Sequence, residues 1–239
     1  MIMFIERKKQ MKATLLATAA ALLPFGAMAQ DRVEATAGAD LVSGYIWRGQ
    51  DLGNVSIQPS ASVSFRGFSL TAWGSVGIDK NDTKELDLTL GYATGGFSLS
   101  ITDYWFNGGA GYFRYGAGTT AHVFEVQAGY DFGPLAVNWY TNFAGNDGVN
   151  DKGKRAYSSY VSLTAPFRLG RLDWTASLGA TPWETSFYNQ GAGGFEVTDI
   201  AIGVSKEIPL TERFFLPLSA RAVWNPATGG AYLVAGISL

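Results

Sequence analysis

From residue 33 to the end of the chain, apolar and polar side chains alternate with a period of two. In SIQPSASVSF (56–65), Ile57, Pro59, Ala61, Val63 and Phe65 share one parity, and Gln58 and the serines share the other. Successive side chains of a strand point to opposite faces, so such a segment is a strand with one greasy and one polar face. The same pattern marks residues 33–48, 68–79, 85–93, 97–106, 122–131, 135–143, 157–167, 171–180, 199–205, 214–225 and 232–239. That makes twelve predicted strands, and no helical period competes with them. Most have the roughly 9–11 residues that a tilted membrane strand needs. Asp103 falls on the greasy parity, which predicts a bulge there or a position above the membrane.

The connections alternate as well. Short turns (RG, TGG, FG, RLG and the medium EIPLTE) follow long loops such as NGGAGYFRYGAGTT and PWETSFYNQGAGGF. On the greasy parity, Phe65, Phe68, Tyr92, Phe97, Tyr130, Phe167 and Phe214 flank the short turns. Tyr45, Trp47, Trp105, Phe124, Phe143, Tyr157 and Trp224 flank the long loops. Aliphatic residues lie between. Two aromatic belts around an aliphatic band are what a bilayer selects, because amphipathic rings settle at headgroup level. A soluble sandwich would place its large rings mid-strand. The pattern therefore predicts an all-β fold, a 12-stranded antiparallel outer-membrane β-barrel. Its long loops are extracellular, its short turns periplasmic, and its greasy face meets lipid.

Composition agrees. Charged residues make up only 16% of the 239, against about 25% in ordinary globular proteins. There is no cysteine, and hence no disulfide, thiolate site or lipoprotein anchor cysteine. The segment 1–29 reads as a cleaved signal peptide: Arg7, Lys8, Lys9 and Lys12, then an apolar run ending in Ala27-Met28-Ala29. Met11 is an alternative start. The mature barrel, 30–239, then carries 14 basic and 19 acidic residues, a balance that speaks against nucleic acid. The expected location is the outer membrane of a Gram-negative bacterium. The expected partners are outer-membrane lipid, small solutes and, during biogenesis, periplasmic chaperones and the barrel-assembly machinery.

Residues 43–75 carry a Tyr-x-aromatic-Arg-Gly motif (Tyr45, Trp47, Arg48, Gly49), then a Gln58-Pro59 step and a Trp73-Gly74 step. In this stretch the chain resembles the TorF-type family of small outer-membrane porins. The resemblance implies a barrel and a transport role. The chain departs from many outer-membrane proteins by ending in Leu239 rather than Phe or Trp.

The polar parity would line the lumen. It carries Asp40, Asp87, Glu125, Asp131, Asp173 and Asp199 against Arg171 and Arg221, with the rings of Trp73, Tyr104, Tyr140, Tyr160 and Tyr232. An acid-biased wall favours cations, so the sequence points to passive diffusion of small solutes through a mildly cation-favouring channel. The alternative is a non-conducting barrel that is structural or binds a ligand through its outer loops, its lumen filled by Arg–carboxylate pairs. Twelve strands fall between the filled eight-stranded and the open sixteen-stranded barrel. Arg221 and Asp40 are expected to pair across the terminal strand, because an unpaired buried charge is costly. Enzymatic activity is not expected. The sole histidine, His122, falls on the lipid parity at the rim, with Thr120 as its nearest same-face hydroxyl. No metal or cofactor is expected either: NDGVND (146–151) and DKNDTKELD (79–87) do not match an EF-hand loop.

Overall fold

A computed structural model describes residues 32–106, 110–116, 118–211 and 214–239. The leader expected over 1–29 lies outside them. The strands are β1 (Glu34–Val42), β2 (Tyr45–Trp47), β3 (Gln50–Gly53), β4 (Ser56–Phe65), β5 (Phe68–Gly77), β6 (Lys84–Thr94) and β7 (Phe97–Phe106). They continue with β8 (His122–Asp131), β9 (Ala136–Gly145), β10 (Ser159–Leu169), β11 (Leu172–Thr181), β12 (Glu196–Pro209), β13 (Phe215–Asn225) and β14 (Gly230–Ser238). Twelve of them, β1 and β4 to β14, close an antiparallel barrel in sequence order. β1 runs beside β4 over nine residue pairs, from Glu34↔Ser64 to Val42↔Ser56. Its other edge meets β14 over only three pairs, Asp40↔Ser238 to Val42↔Gly236. The barrel therefore closes on a short seam, extended by the backbone bonds between Ala39 and Leu239.

The period-two pattern fixes which face looks outward. Leu70 and Leu90, on the greasy parity, are each 58% exposed on the outer surface. Ile57, Val63 and Ile101 join them in the same band. The opposite parity points into the lumen. Tight turns form one end of the barrel. Arg66-Gly67 (φ 48° and 86°) and Gly95-Gly96 (56° and 87°) have both central residues at positive φ, the geometry of a two-residue type I′ hairpin. The long connections and their loops form the other end. No helix among the described residues is long and apolar enough to cross a membrane, which says nothing of strands.

One predicted strand is corrected. The segment 33–48 does not run through as a single wall strand. The wall ends at Val42, the chain turns inward at Ser43-Gly44, and β2 and β3 form a separate two-stranded sheet. The turn between them is Arg48-Gly49 (φ 51° and 80°), the same dipeptide and the same conformation as Arg66-Gly67. Tyr45 and Trp47 are therefore not part of the outer aromatic belt. They are 1% and 3% exposed, inside the barrel.

The hairpin reaches from wall to wall. Tyr45 and Trp47 pack with Tyr104, Val123, Tyr140 and Tyr160 of β7 to β10 and with Tyr188 of the β11–β12 loop. Ile46, pointing the other way, packs with Val42, Ala201, Val223 and Val234 of β1, β12, β13 and β14. The loop-end half of the lumen is thereby filled. Toward the turn end the lining changes to partly exposed hydroxyls such as Ser62, Thr71, Thr89, Ser100, Thr164 and Ser177.

Candidate functional site

The chemistry gathers where the hairpin meets the wall. Arg48, at the tip, is 6% exposed, and Glu125 of β8 is 2% exposed. The guanidinium donates Nη1 to Glu125 Oε2 at 2.6 Å and Nη2 to Oε1 at 2.8 Å, a two-pronged charge-assisted pair. Tyr104 donates its hydroxyl to Glu125 Oε1 at 2.9 Å. Arg48 Nη1 also donates to the Tyr188 hydroxyl. Four rings surround the same cation: its Cζ lies 4.2 Å from the Tyr140 centroid, 4.4 Å from Trp47, 4.8 Å from Tyr160 and 5.8 Å from Tyr188. Within about 6 Å a cation is attracted to a ring face, and more strongly once desolvated. Burial works against the charge on Arg48, but Glu125, Tyr188 and Tyr104 outweigh it and hold the guanidinium above its ordinary range. Burial raises the Tyr188 phenol well above its usual range, with Arg48 opposing, so it remains a neutral hydroxyl.

Further bonds pin the hairpin. Tyr45 donates its hydroxyl to Glu85 Oε2 at 2.8 Å. Asn225 Nδ2 donates to the Gly49 carbonyl at 3.0 Å, and the Asn189 backbone N–H donates to Gln50 Oε1 at 3.1 Å. Gly49 is required here. A Cβ at this position would lie 1.7 Å from the Thr198 carbonyl oxygen, on a backbone with φ of 80°.

The predicted lumen residues divide by height. Asp87, Glu125 and Asp199 are buried in the filled half, with Arg221 partly buried beside Asp199. The expected Arg221–Asp40 pair is corrected: Arg221 Nη2 donates to Asp199 Oδ2 at 2.9 Å and Oδ1 at 3.2 Å. Asp40 lies half-buried across β14, opposite Gln58 and Ser238. Asp131, Asp173 and Arg171 do not line the lumen's interior. All three are exposed at the turn-end rim. Asp131 accepts the Gly133 N–H in the β8–β9 turn at 2.7 Å, and Asp173 pairs with Arg168 at 2.8 Å. Of the predicted lumen rings, Tyr104, Tyr140 and Tyr160 join the hairpin cluster. Trp73 packs at its edge, 5.7 Å from Tyr45, and Tyr232 packs against the Ile46 cluster. Glu85 and Tyr188, absent from the predicted lumen set, also belong to the site. Glu85 Oε1 and Asp87 Oδ1 are buried without a protein hydrogen-bond partner among the described residues.

Asp103 and His122 explain each other. The β7–β8 register runs without a break through Asp103, so no bulge is present there. His122 Nδ1 lies 2.7 Å from Asp103 Oδ1, and Nε2 lies 2.5 Å from the Tyr112 carbonyl oxygen. Tyr115 stacks over the ring at 4.1 Å, and His122, the first residue of β8, is fully buried. Among the described residues, no three His, Asp or Glu side chains are grouped to hold a metal ion.

A family model described as a bacterial protein of unknown function (Gcw_chp) matches residues 26–214. The chain belongs to that family. The match takes in the hairpin, Arg48 and Glu125, and ends before β13. No curated protein matches the chain.

Proposed function

We propose that this protein is an outer-membrane barrel, closed at rest by its own hairpin, that passes small cationic solutes once the hairpin leaves its seat. The carrying observation is that Tyr45–Gly53 touches opposite walls and is fastened by the buried Arg48–Glu125 pair. A continuous exposed belt of Leu, Ile and Val has no counterpart on a water-facing surface and supports lipid as its surroundings. In that setting the long loops face outward, and the tight turns and both ends of the barrel chain face the periplasm. The Tyr-x-aromatic-Arg-Gly resemblance to TorF-type porins supports a transport role. Without the hairpin, the filled half would keep Glu85, Asp87, Glu125 and Asp199 against Arg221 among its described residues, which favours cations. The reading is non-enzymatic: the sole histidine is bound to Asp103 and the Tyr112 carbonyl under an aromatic cover.

The test is single-channel recording on refolded residues 30–239 in a planar bilayer. The wild-type protein is expected to be silent. A variant with residues 43–55 replaced by a Gly-Ser linker is expected to give steady steps with cation preference. Steady conductance by the wild type would overturn closure. A silent variant that still migrates heat-modifiably would overturn the channel and leave the loops to carry function. One observation favours that second reading: a cavity of about 640 Å³ at the loop end, lined by Phe106, Arg114, Asn146, Asp147, Ser186 and Phe187 among others. It has the size of a small-molecule site.

A further inference from the structure

We infer that the seat of Arg48 is a binding site for guanidinium-type organic cations, occupied in this chain by its own hairpin. Everything around the guanidinium except Trp47 belongs to the wall or to the β11–β12 loop. Glu125 supplies the carboxylate, and Tyr104 and Tyr188 supply hydroxyls to the carboxylate and the cation. Tyr140 and Tyr160 supply two ring faces at 4.2 and 4.8 Å. All five side chains are at most 4% exposed. A carboxylate that meets a planar cation with two parallel bonds, inside a box of rings, is the arrangement that recognises guanidinium and alkylammonium groups.

The occupant, by contrast, is held on a detachable element. The β2–β3 hairpin forms no ladder with any barrel strand. Its tip residue takes up the left-handed backbone at Arg48. The hairpin is therefore a tethered ligand, and a solute carrying a guanidinium competes with it for Glu125. The inference rests on the proposed closure for its role in transport, but the seat itself is testable without it.

Arg48→Ala removes the atoms from Cγ to the guanidinium nitrogens, and ethylguanidinium replaces them atom for atom. The refolded Arg48→Ala protein is titrated calorimetrically with ethylguanidinium, and with ethylurea as the neutral isostere. Saturable binding of ethylguanidinium is expected, weakened about tenfold or more in Arg48→Ala/Glu125→Gln, with ethylurea not bound. A folded Arg48→Ala protein that binds neither compound, or both alike, would overturn the site. If Arg48→Ala does not fold alone, refolding with each compound gives the same decision: recovery of the heat-modifiable form by ethylguanidinium only supports the site, and recovery by neither overturns it. Conductance separates the two readings. Binding that leaves Arg48→Ala silent in every condition keeps the site and removes the channel. Conductance without binding does the reverse.

Discussion

Arg48 carries a full charge into a space walled by four rings and one carboxylate, and it does so from a left-handed backbone. Breaking a buried ion pair by removing one partner typically costs about 3–5 kcal/mol, because the other charge stays buried and unpaired. Glu125→Ala is therefore expected to lower the unfolding midpoint in urea strongly, whereas Arg48→Ala/Glu125→Ala loses less than the two single changes summed. A double-mutant cycle measures the difference. Gly49→Ala is expected to unseat the tip outright, since its Cβ would collide with the Thr198 carbonyl; bilayer recording should then show openings where the wild type is silent. The tip was readable in principle. Phe65-Arg66-Gly67-Phe68 is a tight turn, and Trp47-Arg48-Gly49-Gln50 repeats its aromatic-Arg-Gly core. Parity carried through residues 43–48 as if they continued the wall concealed it. The partner of Arg221 was not readable. The stagger between tilted strands sets the height of each residue, and it places Asp199, four residues from the registered Gly203 on the adjacent β12, within reach while Asp40 stays beyond β14.

The twelve wall strands were legible because an apolar outer face and a polar lumen face impose a period of two. Their ends were less so. β12 spans Glu196–Pro209 rather than 199–205, because its outer turns carry Thr, Lys and Glu that blur the alternation and a register shift interrupts its pairing with β11 at Gly179/Ala180. The hairpin escaped because three- and four-residue strands are too short to show any period. The loop after β7 is a further element with its own fastening: Tyr112 and Tyr115 close over His122, whose ring bonds reach Asp103 and the Tyr112 carbonyl. His122→Ala removes both bonds and the stacked ring. Trypsin cleavage after the exposed Arg114 is expected to accelerate about tenfold, the effect of losing about 1.4 kcal/mol of closing free energy. Unchanged cleavage would mean that the loop is held by other contacts.

At the scale of the whole molecule, the tryptophans divide into two populations. Trp139 and Trp224 are exposed on the outer face, whereas Trp47 and Trp73 lie within the lumen. In vesicles containing brominated lipid, single-tryptophan variants retaining Trp139 or Trp224 are expected to be quenched, and those retaining Trp47 or Trp73 to be spared. Equal quenching would refute the sidedness of the wall. The shape of the closure also bears on how the molecule is made. β1 and β14 meet over only three pairs, supplemented by two backbone bonds between Ala39 and Leu239 at 2.9 and 3.1 Å. On the inside, Ile46 lies across that same junction, against Val42 of β1 and Val234 of β14. Ile46 thus gives the two edges a shared apolar surface on which to meet. A hairpin seated before the seam forms would guide the last closure, a stopper set before the hoop, and an Ile46→Asp chain is expected to linger as an unclosed sheet, visible as delayed appearance of the fast-migrating band during refolding.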